Sequence, residues 1–142
     1  MQNIHIDRMR EEVTEIGAKE LRTPDEVDAT IPNSRGTMLV FINSVCGCAA
    51  RNARPALKEA WNLQNRPDAL VTVFAGQDIE ATAQARQYFG TEPPSSPSFA
   101  LLRDGKLIHM IHRYQIQHQS PYDVASLLKD AFDKYCTENV EI

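Results

Sequence analysis

Residues 37–63 read TMLVFINSVCGCAARNARPALKEAWNL, and this stretch decides the fold. Its first seven residues, Thr37 to Asn43, are a nearly continuous apolar run with β-branched and aromatic members. Such a run predicts a central strand buried on both faces. Cys46 follows three residues later. From Cys48 onward the spacing turns helical, with Ala49, Ala53, Leu57, Ala60 and Trp61 able to share one face. Pro55 falls inside this helix and is expected to kink it. Arg66-Pro67-Asp68 ends the unit, and LVTVFA at 70–75 gives a second strand. Strand, helix and strand in this order predict two parallel strands with a right-handed crossover.

Upstream, residues 3–20 are expected to be helical, with Met9, Val13 and Ile16 on one face. In TPDEVDATI, Thr23 caps, Pro24 takes the first helical position and Glu26 completes a capping box. Asn33 to Gly36 is a turn. Downstream, Gly76-Gln77-Asp78 opens a helix over roughly 78–89 that Gly90 stops. TEPPSSPS is a stiff loop, and FALLRDGKLIHMI a hairpin turning at Arg103-Asp104-Gly105. Ser120, Pro121 and Asp123 give a further capping box for a last helix, with Val124, Leu127, Leu128, Ala131 and Phe132 on its apolar face.

A parallel βαβ unit joined through a helix to a hairpin and a last helix is the thioredoxin-like topology. The expected class is α/β: a central four-stranded mixed sheet flanked by helices, with extra N-terminal helices. The spatial order is second, first, third, fourth, and the third strand runs antiparallel to the first. One domain is expected over 1–142, with a helical extension at 1–36 and the thioredoxin-like core at 37–136.

With 142 residues, 42% hydrophobic and 24% charged, the chain is long and apolar enough for a sizeable core. No apolar run approaches the ~18 residues of a membrane span. MQNIHIDRMREEV lacks the apolar stretch of a signal peptide, so a cytoplasmic location is expected. A net charge of −4 without a basic stripe argues against nucleic acid as a partner. The three cysteines, Cys46, Cys48 and Cys136, cannot all pair within one chain, and a reducing cytosol disfavours a structural disulfide.

The chemistry gathers where the first strand enters its helix. A thiol at a helix N-terminus ionises more easily, and the thiolate is the nucleophile. Cys46, the more exposed in such a turn, is the candidate nucleophile, and Cys48 the resolving thiol. A Cys-x-Cys disulfide needs a bent backbone to bring its Cα atoms to the usual ~4.4–6.8 Å, and Gly47 is expected to allow that bend. A strained disulfide is more easily reduced, which suits rapid exchange better than strong reduction. Ser96-Pro97-Ser98, directly before the third strand, is the expected site of a cis proline facing the cysteine turn. Pro97 would keep metals from the thiols and leave the Ser96 backbone free for an extended substrate. Gly47, Ser96 and Pro97 are thus the candidate substrate-binding residues.

Other readings stand beside these. An isolated Cys-x-Cys is often structural or a metal half-site, but a closed zinc site needs about four ligands. His109, His112 and His118 do not lie at ligand spacing from the cysteines, so no metal site is expected. Cys136 reads as a core or surface thiol, Trp61 and Phe74 as core. Arg51 and Arg54 read as solvated, or as contacts for an anionic thiol.

NSVCGCAA, RPAL, TVFAGQD, EATAQARQYF, PPSSPS and ALLRDGK, in this order, resemble the bacilliredoxins, thioredoxin-like proteins with a CGC motif. The resemblance runs from about residue 37 to the last helix. It implies a glutaredoxin-like role: removal of bacillithiol, a cysteinyl-glucosaminyl-malate thiol, from proteins that carry it as a mixed disulfide. Cys46 would take the bacillithiol, and Cys48 or a second bacillithiol would release it. No bound cofactor is implied; bacillithiol enters as a thiol co-substrate, and the partners are bacillithiolated or disulfide-bonded client proteins. A general protein disulfide reductase or isomerase and a non-catalytic metal-binding or interaction module are the alternatives.

Overall fold

The computed structural model describes residues 3–137. Helix α1 spans Ile4–Thr14, strand β1 Lys19–Glu20 and helix α2 Pro24–Thr30. Strand β2 spans Thr37–Asn43, helix α3 Arg54–Ala60, strand β3 Ala69–Phe74 and helix α4 Ile79–Arg86. The hairpin is β4, Ser98–Arg103, and β5, Lys106–Ile111; helices α5, Arg113–Ile116, and α6, Pro121–Tyr135, follow.

All seven residues of β2 are buried. Leu39 and Phe41 face one core cluster with α3 and α6, whereas Met38, Val40 and Ile42 face another with α2 and α4. The continuous apolar run follows from this: both faces are covered, so the polar residues of an alternating strand have no place. β2 pairs parallel with β3 and antiparallel with β4, and β4 pairs antiparallel with β5. The order expected for these four strands holds. At the hairpin, Asp104 (φ 51°) and Gly105 (φ 81°) both take left-handed backbone, the conformation a two-residue turn between twisted strands favours.

The sheet has a fifth strand. β1 pairs parallel with β3, giving the order β1-β3-β2-β4-β5. The helix expected over 3–20 therefore stops early, and the N-terminal extension is not purely helical. Gly17 (φ 126°) reverses the chain in a conformation L side chains rarely adopt, and Leu21 N–H continues the pairing to Thr72 O at 2.9 Å. Arg10, 9% exposed, fixes α1 to the body through Glu20 (2.6 Å) and Asp78 (2.7 Å).

Pro55 does not kink a continuous α-helix. A π-helical turn, Ala49–Ala53, precedes α3, and Arg54 N–H reaches back five residues to Ala49 O. A proline ring collides with the carbonyl four residues earlier, and one wider turn relieves that collision. Thr23 and Glu26 form the full reciprocal capping box. At α6, Ser120 Oγ accepts from Asp123 N–H (3.1 Å), and this half of the box is what forms among the described residues. The Asp123 side chain is one methylene shorter than the usual Glu.

Candidate active site

The cysteine turn rests on a buried polar support at the end of β2. Asn43 Nδ2 donates to Met9 O (3.2 Å), and its Oδ1 accepts from Ser44 N–H (2.9 Å) and Arg54 Nη1 (2.9 Å). Arg54 Nη1 also donates to Ser44 O (3.1 Å), and its Nε to Glu12 (2.8 Å). Arg54 is 3% exposed, so the expectation that it is solvated is corrected: its guanidinium lies under the turn and satisfies a carbonyl there.

On this support, Cys46 N–H donates to Ser44 Oγ (3.1 Å), while Cys46 O accepts from Ala49 N–H (3.1 Å) and Ala50 N–H (3.3 Å). Both thiols are free, and their sulfurs stand 2.7 Å apart. Cys46 is partly exposed; Cys48 is buried. Burial resists ionisation of Cys46, but the Cys48 thiol, the Ser44 hydroxyl, the Ala49 N–H and the Arg113 charge outweigh it and hold its pKa below the ordinary thiol value. The Cys48 pKa is raised, first by burial, then by its bond to Cys46 and the negative charge there. The pair therefore holds one acidic, reachable thiol and one reluctant, covered one.

With both thiols free, the φ of Gly47 lies outside the left-handed range. What its missing Cβ gives is room: a Cβ there would lie 2.7 Å from Arg51 Nη2 and 2.8 Å from Arg51 Nη1. The Arg51 guanidinium lies across the glycine of CGC, while the side chain remains exposed.

The Ser96–Pro97 peptide bond is cis, and Pro97 is buried. Ser98 pairs with Ile42, which puts Ser96 and Pro97 at the end of the sheet where the cysteine turn begins. The Ser96 backbone is not wholly free, because its carbonyl already accepts from Arg113 Nη1 (3.3 Å). The loop is also held through Ser95, whose Oγ bonds His112 Nδ1 (2.8 Å); His112 Nε2 meets Glu92 Oε1 (2.6 Å). A cleft of about 460 Å³ opens beside this loop, between Pro93, Pro94 and Ser95 on one wall and Arg113, Tyr114 and Gln117 on the other.

Of the histidines weighed as ligands, His112 serves the loop, His118 is exposed, and His109 packs on Tyr135 with burial and then Lys134 lowering its pKa. Among the described residues, no three His, Cys, Asp or Glu side chains are grouped to hold a metal ion. Cys136 joins the apolar cluster at the end of α6, near Thr37 at the start of β2, and burial raises its thiol pKa. Phe74 is buried, and Trp61 is partly buried against the α3–α6 cluster, edge-on to Phe132. Sequence reasoning missed Ser44, Asn43 and Arg113. Polar residues ending an apolar strand were a legible signal for the first two. Arg113 has none, since only the packing of α5 brings it near the thiols.

Known proteins resemble this chain in sequence and in fold. The family described as Disulphide isomerase covers residues 1–136. A bacilliredoxin of Geobacillus kaustophilus is 57% identical over 133 residues, 94% of this chain and 91% of that protein. A bacilliredoxin of Staphylococcus haemolyticus is 52% identical over 133 residues, again 94% and 91%. The chain belongs to the bacilliredoxin family. Solved thioredoxins share the fold at low identity. That of Malassezia sympodialis superposes with a TM-score of 0.60 at 11% identity, covering 85% of this chain and 92% of that one. That of Fasciola hepatica gives 0.57 at 17%, covering 82% and 98%. Bacilliredoxin membership and the thioredoxin fold make the chain a thiol–disulfide oxidoreductase. Among the described residues, no helix is long and apolar enough to cross a membrane.

Proposed function

We propose that the protein removes bacillithiol from protein mixed disulfides, with Cys46 attacking and Cys48 resolving. The observation that carries this is the adjacent pair of unequal thiols: Cys46 is reachable and ionises below the ordinary range, whereas Cys48, 2.7 Å away, is covered and ionises above it. The Cys46 thiolate attacks the bacillithiol sulfur of the client's mixed disulfide. A Cys46–bacillithiol bond forms, the client–sulfur bond breaks, and the client thiolate takes a proton from solvent. Once Cys46 is a disulfide, the negative charge that holds up the Cys48 pKa is gone. Cys48 then loses its proton and attacks Cys46 Sγ, releasing bacillithiol and leaving a Cys46–Cys48 disulfide. Two bacillithiol molecules re-reduce that disulfide as co-substrate: the first forms a mixed disulfide on Cys46 and frees Cys48, and the second attacks the bound bacillithiol, leaving as bacillithiol disulfide and freeing Cys46. Ser96 and Pro97 border the turn on the client's side, and the half-exposed Ser96 offers its N–H to an extended client segment. The clients are cytoplasmic proteins carrying bacillithiol.

A client protein blocked with bacillithiol tests this. The protein should free its thiol, and Cys46→Ser should stop release; release by Cys46→Ser at the original rate would overturn the assignment. General disulfide isomerisation is the second reading, favoured by the description of the matching family. Faster refolding of a scrambled-disulfide protein than release of bacillithiol would select it. The metal-binding alternative lacks a third ligand beside the cysteines among the described residues.

A further inference from the structure

Two guanidinium groups flank the cysteine turn. Arg51 lies across Gly47. Arg113 opens α5, donating from Nη1 to Ser96 O (3.3 Å) and from Nε to Gln117 Oε1 (3.2 Å). The two sides are joined: Asn52, next to Arg51, donates to Ile116 O (3.0 Å) at the end of the same short helix. Both arginines are exposed. Arg10, Arg22 and Arg54 all meet carboxylates, but neither Arg51 nor Arg113 has a carboxylate partner among the described residues. The Arg113 charge favours ionisation of both thiols. Gly47 leaves room for the Arg51 guanidinium against the turn. A molecule joined to Cys46 Sγ would sit on a turn that carries Arg51 across Gly47 and feels the Arg113 charge. Each presents a planar fork suited to a carboxylate.

We infer that Arg51 and Arg113 clamp the carboxylates of the small thiol carried on Cys46, and so select anionic low-molecular-weight thiols over neutral ones. The inference rests on the exchange reading above and adds the residues that choose the adduct. Adduct formation is plain exchange: the Cys46 thiolate displaces one half of a symmetrical disulfide, one S–S bond replaces another, and the expelled thiolate takes a proton from solvent.

The test compares two such disulfides, those of mercaptosuccinate (two carboxylates) and 2-mercaptoethanol (neutral), equilibrated with Cys48→Ser protein and read as the adduct on Cys46 by intact mass. The ratio of the two equilibrium constants cancels the acidity of Cys46, which is common to both, and comparing that ratio between variants cancels the acidity of the probe thiols. Replacing both arginines with Gln should lower that ratio about tenfold, as loss of charge-assisted, solvent-screened contacts predicts. Gly47→Ala, which pushes the Arg51 guanidinium aside, should lower it partway, and added salt should narrow it. Arg35→Gln, at the start of β2, should leave it unchanged. An equal ratio with and without the two arginines overturns the clamp. A second arm needs no thiol chemistry: succinate should shift the Nε–H resonances of Arg51 and Arg113 in NMR, and unmoved resonances at saturating succinate overturn the clamp. If neither disulfide forms an adduct while succinate still shifts both arginines, the clamp stands and the exchange reading is what fails.

Discussion

At Cys46, burial works against the thiolate, and a handful of donors reverse the outcome. The Cys48 thiol, the Ser44 hydroxyl, the Ala49 N–H and the Arg113 charge all stabilise the anion, while Cys48, with burial and a neighbouring negative charge against it, stays protonated. Alkylation by iodoacetamide, followed by peptide mass spectrometry across pH, checks this. A depressed pKa keeps thiolate present at lower pH, so the Cys46 rate should fall away only below the ~8.5 midpoint of a free thiol. Cys136, raised by burial, should reach half its maximal rate above that value. A common midpoint would mean that the donors around the turn do not lower the Cys46 pKa. The pair itself was legible: CGC at a strand-to-helix turn names both thiols. The Arg51 guanidinium in the space of the missing Gly47 Cβ was not, because nothing in the spacing of the motif points to it.

The elements around the turn matter as scaffolding. Arg54 is set in place by the first turn of α3, and it joins the end of β2 to α1 through Asn43, Ser44 and Glu12. Arg54→Leu strands the buried Ser44 carbonyl and removes one of two donors to Asn43 Oδ1, so unfolding in urea should show a loss of about 2–4 kcal/mol, and the Cys46 alkylation midpoint should move as the turn loosens. A loss under about 0.5 kcal/mol, the ordinary surface value, would mean that the network is not what holds the turn. Thr23→Ala, which opens the full capping box of α2, should cost about 1 kcal/mol in the same measurement. Strand and helix positions were readable here from apolar periodicity and caps. Arg54 was misread because an arginine on a helix ordinarily points to water, and its acceptors, buried Asn43 and Ser44 at the end of β2 and exposed Glu12 on α1, are remote in sequence. The two-residue β1 was missed because so short a strand carries no alternation.

Across the whole molecule, β2 separates two ends of the sheet. The cysteine turn and Pro97 lie beyond Asn43, and Cys136 lies near Thr37. Seven residues of strand, at about 3.3 Å each, put these ends roughly 20 Å apart, too far for Cys136 to reach a disulfide on Cys46. Cys136→Ser should therefore leave the rate of thiol release within about twofold of the parent protein, and a larger loss would make it a third redox group. The strand order was legible because βαβ handedness and hairpin turns leave few topologies for these segments. The packing of α5 against the loop before Pro97 was not, since that short helix has no apolar period of its own. The central claim concerns which sulfur attacks and what it receives. It is tested most directly by mixing a bacillithiol-blocked client with Cys48→Ser protein and locating the adduct by mass spectrometry. The account predicts bacillithiol on Cys46 and a free client thiol. The client itself joined to Cys46, or bacillithiol left on the client, would contradict it.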